Sequence, residues 1–120
     1  VHQFCRVGRL ALMQGGAAIS RDLPPFCIAR GDNGIAGLNV IGLRRAGFKN
    51  EDRTTLRAAY RRLFRSRQPL ASNLAAARTE FVHSDVAMEL IEFVAAARRG
   101  VCRDTGSRTH SRPDTPESDG

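Results

Sequence analysis

Arg53, Arg57, Arg61 and Arg65 recur at every fourth residue, with Arg62 and Arg67 beside them. On a helix that spacing makes one stripe. Its chemistry is electrostatic: it attracts an acidic partner from a distance and is screened by salt. The alternative is a solvated helix face, the ordinary fate of surface arginines. The chain carries 19 Lys and Arg against 12 Asp and Glu, a formal net charge of +7. Such a balance suits nucleic acid, anionic lipid or an acidic protein. Nucleic acid is disfavoured, because there is no recognisable recognition fold and no aromatic residue interleaves with the arginines. No catalytic set is visible. His83 and His110 stand without a partner pattern, and neither is assigned a role. The three cysteines, Cys5, Cys27 and Cys102, contain no CxxC pair and form neither a disulfide framework nor a metal-ligand spacing. Cys5 and Cys27 read as packing residues, which points to a reducing, cytoplasmic compartment.

The elements that would position any site begin with a comb. Val1, Val7, Met13 and Ile19 stand six residues apart, and Cys5, Ala11 and Ala17 follow the first three at an offset of four. Neither a helical nor a strand period produces this pattern. Hexapeptide repeats of a β-helix do, each side sending one branched residue inward with a small residue near the corner. The register is already running at Val1, and the chain lacks an initiator Met and a signal peptide, so it reads as a fragment that opens inside a coil. His2 and Gln3, next to the inward Val1, fall on the outside of that coil. Two prolines in Asp22-Leu23-Pro24-Pro25 remove two donors, which predicts that the ladder ends there and that 1–25 is one β-helical coil.

Residues 26–48 read as a connecting loop, with Gly31-Asp32-Asn33-Gly34 as its strongest breaker. Residues 49–103 read as three amphipathic helices forming a cap. Asn50 caps the first, with Leu56, Ala59, Tyr60, Leu63 and Phe64 inward. Pro69 starts the second, with Leu70, Leu74, Ala77 and Phe81 inward. Asp85 caps the third, with Val86, Leu90, Phe93, Val94 and Ala97 inward and Gly100 ending it. Residues 104–120 contain no aliphatic side chain and read as a disordered tail. No apolar run approaches the ~20 residues that a bilayer requires.

Three segments in order carry a resemblance: Val1-His2-Gln3-Phe4-Cys5, Asp22-Leu23-Pro24-Pro25-Phe26, and Gly37-Leu38-Asn39-Val40-Ile41-Gly42-Leu43-Arg44-Arg45. Together with Tyr60 to Ser66 and Arg98 to Val101, they closely resemble the C-terminal part of the acyl-carrier-protein–UDP-N-acetylglucosamine O-acyltransferases of lipid A biosynthesis. The similarity runs from residue 1 to about Arg103. It implies a mixed β/α chain: the last coil of a left-handed parallel β-helix followed by a small helical cap, assembled as a homotrimer with active sites between subunits. It also implies transfer of a 3-hydroxyacyl group from acyl carrier protein to the 3-hydroxyl of UDP-N-acetylglucosamine, without metal, cofactor or covalent acyl-enzyme. The family's general-base histidine belongs to an earlier coil, and none of His2, His83 or His110 matches it.

By the same resemblance, His2 and Gln3 line the inter-subunit site, the alternative being a solvated or trimer-packing pair. Asn39 and Arg45 bind the nucleotide-sugar: a guanidinium offers a planar donor fork to a diphosphate, and an amide donates and accepts at once. The alternative for Arg44 and Arg45 is a solvated charge cluster, and Arg44 cannot point the same way as its neighbour. A glycine at Gly15 leaves a groove for a longer acyl chain, or simply turns a corner. Arg53, Arg57 and Arg61 become a docking stripe for acyl carrier protein. Ala46 and Ile41 depart from relatives that carry a basic and an acidic residue there, and the loop from Asn33 to Ala36 is one residue short. Other readings are a stand-alone basic helical module binding acyl carrier protein or nucleic acid, and another hexapeptide-repeat acyltransferase. The GLNxxGLRR segment argues against the latter. Since so few rungs bury little core, the chain alone is expected to be poorly soluble and inactive.

Overall fold

In a computed structural model, which describes residues 5–97 and 100–105, the first rungs rise by sixteen residues, shortening to fourteen at Ala18. Val7 pairs in parallel with Leu23, Leu12–Met13 (β1) with Ile28 and Ala29 of Cys27–Arg30 (β2), and Ala18 with Asp32. Val1, His2, Gln3, Arg98, Arg99, His110 and residues 106–120, for which the sequence raises expectations, lie outside the described residues. Ile19 is buried and Met13 half-buried, as the comb requires. Val7 is 46% exposed, because among the described residues it packs on one neighbouring rung only. Cys5, Ala11 and Ala17 are all half-buried.

The ladder does not stop at the prolines. Leu23 N donates to Arg6 O at 2.9 Å, Gly8 N to Leu23 O at 2.9 Å, and Phe26 N to Arg9 O at 2.9 Å. Pro24 and Pro25 are buried in the corner between these bonds, where no donor is demanded of them. The corner is stacked: Leu10 (φ 58°) and Phe26 (φ 69°) both adopt left-handed backbone one rung apart. Such a conformation is strained for a side chain with a Cβ. Burial of Phe26 against Phe48, with ring centroids 5.8 Å apart, compensates there.

The segment expected to be loop is a hairpin and a helix. β2 turns at Gly31–Asn33 into Gly34–Leu38 (β3), antiparallel to it, with a bulge between Ile28 and Ala29. Asn33 at φ 57° makes the turn and holds the next corner, its Oδ1 accepting from Ser20 N and Arg21 N at 2.8 and 3.0 Å. The hairpin interrupts the parallel winding and leads into the short helix α1, Val40–Arg45. Three longer helices follow: α2 Asn50–Phe64, α3 Leu70–Glu80 and α4 Asp85–Ala95. Among the described residues the cap therefore has four helices, α1 preceding the expected three. Lys49 occupies the N-cap of α2, one residue before the expected Asn50, and Ser84 rather than Asp85 caps α4, accepting from Ala87 N. The inward face of α4 is Ala87, Leu90, Ile91 and Val94, while Val86, Phe93 and Ala97 are only partly buried. Leu70 is 37% exposed, and Asn73 takes a buried place in α3 instead, donating to Leu63 O and Gln68 O.

The chain then returns to the coil. Asp22 pairs in parallel with Val101, and Arg103–Asp104 (β4) with Gly34 and Ile35, so the sheet runs β1-β2-β3-β4. The boundary expected after Arg103 is thus displaced: Asp104 is buried, its carboxylate accepting from Tyr60 Oη at 2.6 Å and Arg65 Nε at 3.2 Å. One core joins coil and cap, from Leu23, Phe26 and Ile35 to Leu56, Leu90 and Ile91. Among the described residues no helix is long and apolar enough to cross a membrane.

Cys27 and Cys102 are fully buried free thiols in that core. Burial pushes both thiols up, Cys102 to about 11 from an ordinary 9.0, with Cys5 adding to the shift. Above the ordinary thiol range the unfolded chain loses protons that the folded chain keeps, so folding stability falls as pH rises. The urea midpoint is expected to decline between pH 9.0 and about 11. A Cys27→Ala, Cys102→Ala chain should decline less, and equal slopes for the two chains would contradict this account.

Candidate functional site

Asn39 follows β3 at the mouth of an open groove of about 670 Å3. The groove's floor is the outer face of the coil, with Leu12, Ile28 and Ala36; its walls are α1, with Ile41 and Arg45, and Arg57 from α2. Asn39 caps α1: Oδ1 accepts from Gly42 N at 3.1 Å, and Nδ2 donates to Leu10 O at 3.0 Å. One side chain thereby ties the helix to the strained corner of the preceding rung. Gly42 is required here, since a Cβ would run into the Asn39 amide. The Asn-x-x-Gly spacing is thus a capping device that fixes the direction of α1 and of Arg45 in its last turn. The resemblance gave Asn39 a ligand; the geometry gives its amide two protein partners first.

Arg45 is exposed on the groove wall, and no described side chain pairs with it. Arg44 is exposed and outside the groove lining, as their adjacency on a helix requires.

The arginine stripe does not act as one face. Arg53 turns back on the entry of α2, its Nη1 donating to Phe48 O at 2.6 Å and its Nη2 to Asn50 Oδ1 at 3.3 Å. Arg65 pairs with Asp104, and Arg62 with Glu80 at 2.8 Å. Arg61 remains exposed. Arg57 enters the groove, where its buried Nε has no hydrogen-bond partner. The i+4 spacing was a sound signal for a shared helix face, but the partners come from distant segments that spacing cannot reveal.

Gly15 lies in an exposed turn, with Gly16 at φ 82° and Ala17 N donating to Gln14 O at 2.9 Å. Nothing lies within 4 Å of where its Cβ would stand, so within this chain it is a corner glycine. His83 is exposed between α3 and α4.

A second cleft, of about 610 Å3, was not foreseen; it lies between the α2–α3 connection and the returning rung, with Arg21, Ser66, Asn73 and Arg103 in its lining. Its residues come from three remote segments, and no local pattern announces it. Its buried polar groups are already used: Asn73 by two carbonyls, Asp104 by Tyr60 and Arg65.

The family model described as UDP N-acetylglucosamine O-acyltransferase, domain 2, matches residues 22–102, which takes in the hairpin, α1 and the groove lining apart from Leu12. An acyl-[acyl-carrier-protein]–UDP-N-acetylglucosamine O-acyltransferase of Myxococcus xanthus is 41% identical over 105 residues, covering 86% of this chain and 40% of the relative. One from Anaeromyxobacter sp. is 40% identical over 104 residues, covering 85% and 40%. The UDP-N-acetylglucosamine acyltransferase structure from Bacteroides fragilis superposes with a TM-score of 0.78 at 38% identity, over 85% of this chain and 40% of that one. That from Arabidopsis gives 0.78 at 31% identity, over 85% and 39%. The chain spans about 40% of the length of the curated relatives it matches. Its rungs are those of a left-handed parallel β-helix, followed by C-terminal helices. On this agreement of sequence and fold, the chain belongs to the UDP-N-acetylglucosamine O-acyltransferase family.

Proposed function

We infer that the chain is the C-terminal part of an enzyme that transfers a 3-hydroxyacyl group from acyl carrier protein to the 3-hydroxyl of UDP-N-acetylglucosamine, the first step of lipid A biosynthesis. The observation that carries the reading is the groove in which Arg45 stands without a protein partner, on a helix aimed by the Asn39–Gly42 cap, inside the family-matched segment. A guanidinium there suits the diphosphate of the nucleotide-sugar. In the reaction the sugar hydroxyl oxygen attacks the acyl carbonyl, the bond to the carrier breaks, and the hydroxyl proton passes to a general base. That base is a histidine of coils outside the stretch shared with this chain. The working enzyme is a cytoplasmic homotrimer, with this chain contributing one wall of the site and the cap. The family resemblance assigns His2 and Gln3, outside the described residues, to substrate binding in the same site.

A chimera tests the reading. The matching C-terminal part of the Myxococcus xanthus relative is replaced by this chain, and acyl transfer to UDP-N-acetylglucosamine is followed. Activity is expected, and Arg45→Gln should lower it about tenfold or more, chiefly by raising KM for the nucleotide-sugar, as loss of one charge-assisted contact predicts. A folded, trimeric chimera without activity would sink the assignment.

A further inference from the structure

The four arginines of the α2 stripe share one helix and one spacing, yet one of them differs from its neighbours. Arg53 donates to Phe48 O and Asn50 Oδ1, and Arg65 donates to the Asp104 carboxylate. Arg57, between them, is half-buried and keeps an Nε that is fully buried and without an acceptor. A buried donor left unmade is costly, more so on a charged group. The Nε is closed to the groove as well, so a ligand there would meet the outer guanidinium nitrogens of Arg57.

Arg57 and Arg45 line one groove, and no acidic residue is among its lining. Two guanidiniums thus share a space with no described counter-charge, and each would be better stabilised by an anion between them. Beside the guanidiniums the groove also offers apolar side chains, Leu12 on its floor at 49% exposure and Ile41 on the α1 wall at 64%. A ligand that fits both has a diphosphate at one end and a body able to lie on aliphatic side chains at the other.

We propose that Arg57 is a second diphosphate-binding residue, acting with Arg45 as a two-guanidinium clamp for a nucleoside diphosphate group. The proposal rests on the functional reading above for its substrate class and moves Arg57 from a carrier-docking surface into the nucleotide site. Arg45 supplies an exposed fork on α1, free to follow the ligand. Arg57 supplies a fork whose stem is fixed by burial, so it sets the ligand's depth.

The test uses the chimera with the Myxococcus xanthus relative, with inorganic pyrophosphate and uridine diphosphate as probes in isothermal titration, and thermal unfolding alongside. Wild type should bind both and gain Tm with either. Arg57→Gln should weaken both about tenfold or more, the value of one charge-assisted hydrogen bond, with Arg57→Lys between the two. Arg44→Gln, outside the groove, should bind as wild type. Arg57→Lys keeps the buried stem and the charge, so its Tm should stay near that of wild type while its affinity falls, which separates a binding role from a packing one. A wild-type chain that binds neither probe, an Arg57→Gln chain that binds as tightly as wild type, or one whose only change is a lower Tm would each overturn the clamp. The acyl-transfer reading is judged separately by the chimera's activity, which can survive any of these results.

Discussion

Asp104→Ala is expected to cost the chain about 2–4 kcal/mol of stability, because a buried tyrosine hydroxyl loses its charged acceptor and a half-screened ion pair is broken. The carboxylate is nearly inaccessible, its side chain 1% exposed, and it accepts from both Tyr60 Oη and Arg65 Nε. Tyr60 is itself buried, and its phenol is pushed up, first by burial and then by the nearby Cys27 thiol and the Asp104 charge. Truncating Asp104 leaves a buried hydroxyl and a partly buried guanidinium without this acceptor, and loosens β4, the rung that bolts the end of the chain to Gly34 and Ile35. Asp104→Asn keeps an acceptor for Tyr60 but removes the charge facing Arg65, so it should fall between. Tyr60→Phe removes a single donor and should cost about 1–2 kcal/mol. Urea unfolding followed by circular dichroism ranks the three. A loss under 1 kcal/mol for Asp104→Ala would mean that the returning rung contributes little to the fold.

That rung also shows where the sequence stops being informative. Asp104 opens a stretch of Asp, Thr, Gly, Ser and Arg whose composition reads as tail, and a two-residue parallel pairing leaves no periodicity behind. Its partners on β3 and α2 lie dozens of residues away. The same holds at Pro24 and Pro25: their missing donors are locally real, but the corner they occupy asks for none. By contrast, the face of α2 was legible, because Leu56, Ala59, Tyr60 and Leu63 follow the helical period and are all buried. The short α1 was missed, since six residues are too few for a period to emerge; the signal that would have found it was the Asn39–Gly42 cap spacing. Arg45 was recognisable from its motif, whereas the fate of each arginine on α2 depended on what the coil and the returning chain placed opposite it.

Gly8→Ala should be as damaging, by a different cause. Gly8 sits where the first described rung crosses the proline corner, and its N donates to Leu23 O at 2.9 Å. A Cβ there would overlap the backbone N and Cα of Pro25. Neither atom can rotate aside, and Pro25 is held by its ring, by burial, and by Phe26 N bonding to Arg9 O next to it. The overlap can be relieved only by parting the two rungs, which sacrifices the Val7–Leu23 pairing and the Phe26–Phe48 contact together. Overpacking of a side chain typically costs 1–3 kcal/mol; against backbone that cannot yield, about 3 kcal/mol or more is expected. Asn39 bonds to Leu10 O two residues beyond this junction, so the displacement reaches the cap of α1. Gly8→Ala in the chimera should therefore lower both the unfolding midpoint and the affinity for uridine diphosphate, although Gly8 is not among the groove-lining residues. Gly15→Ala, at an open corner with nothing within 4 Å of the new methyl, should change neither. If the two variants behave alike, the coil does not hold α1 in place, and the groove must be set by the helical cap alone.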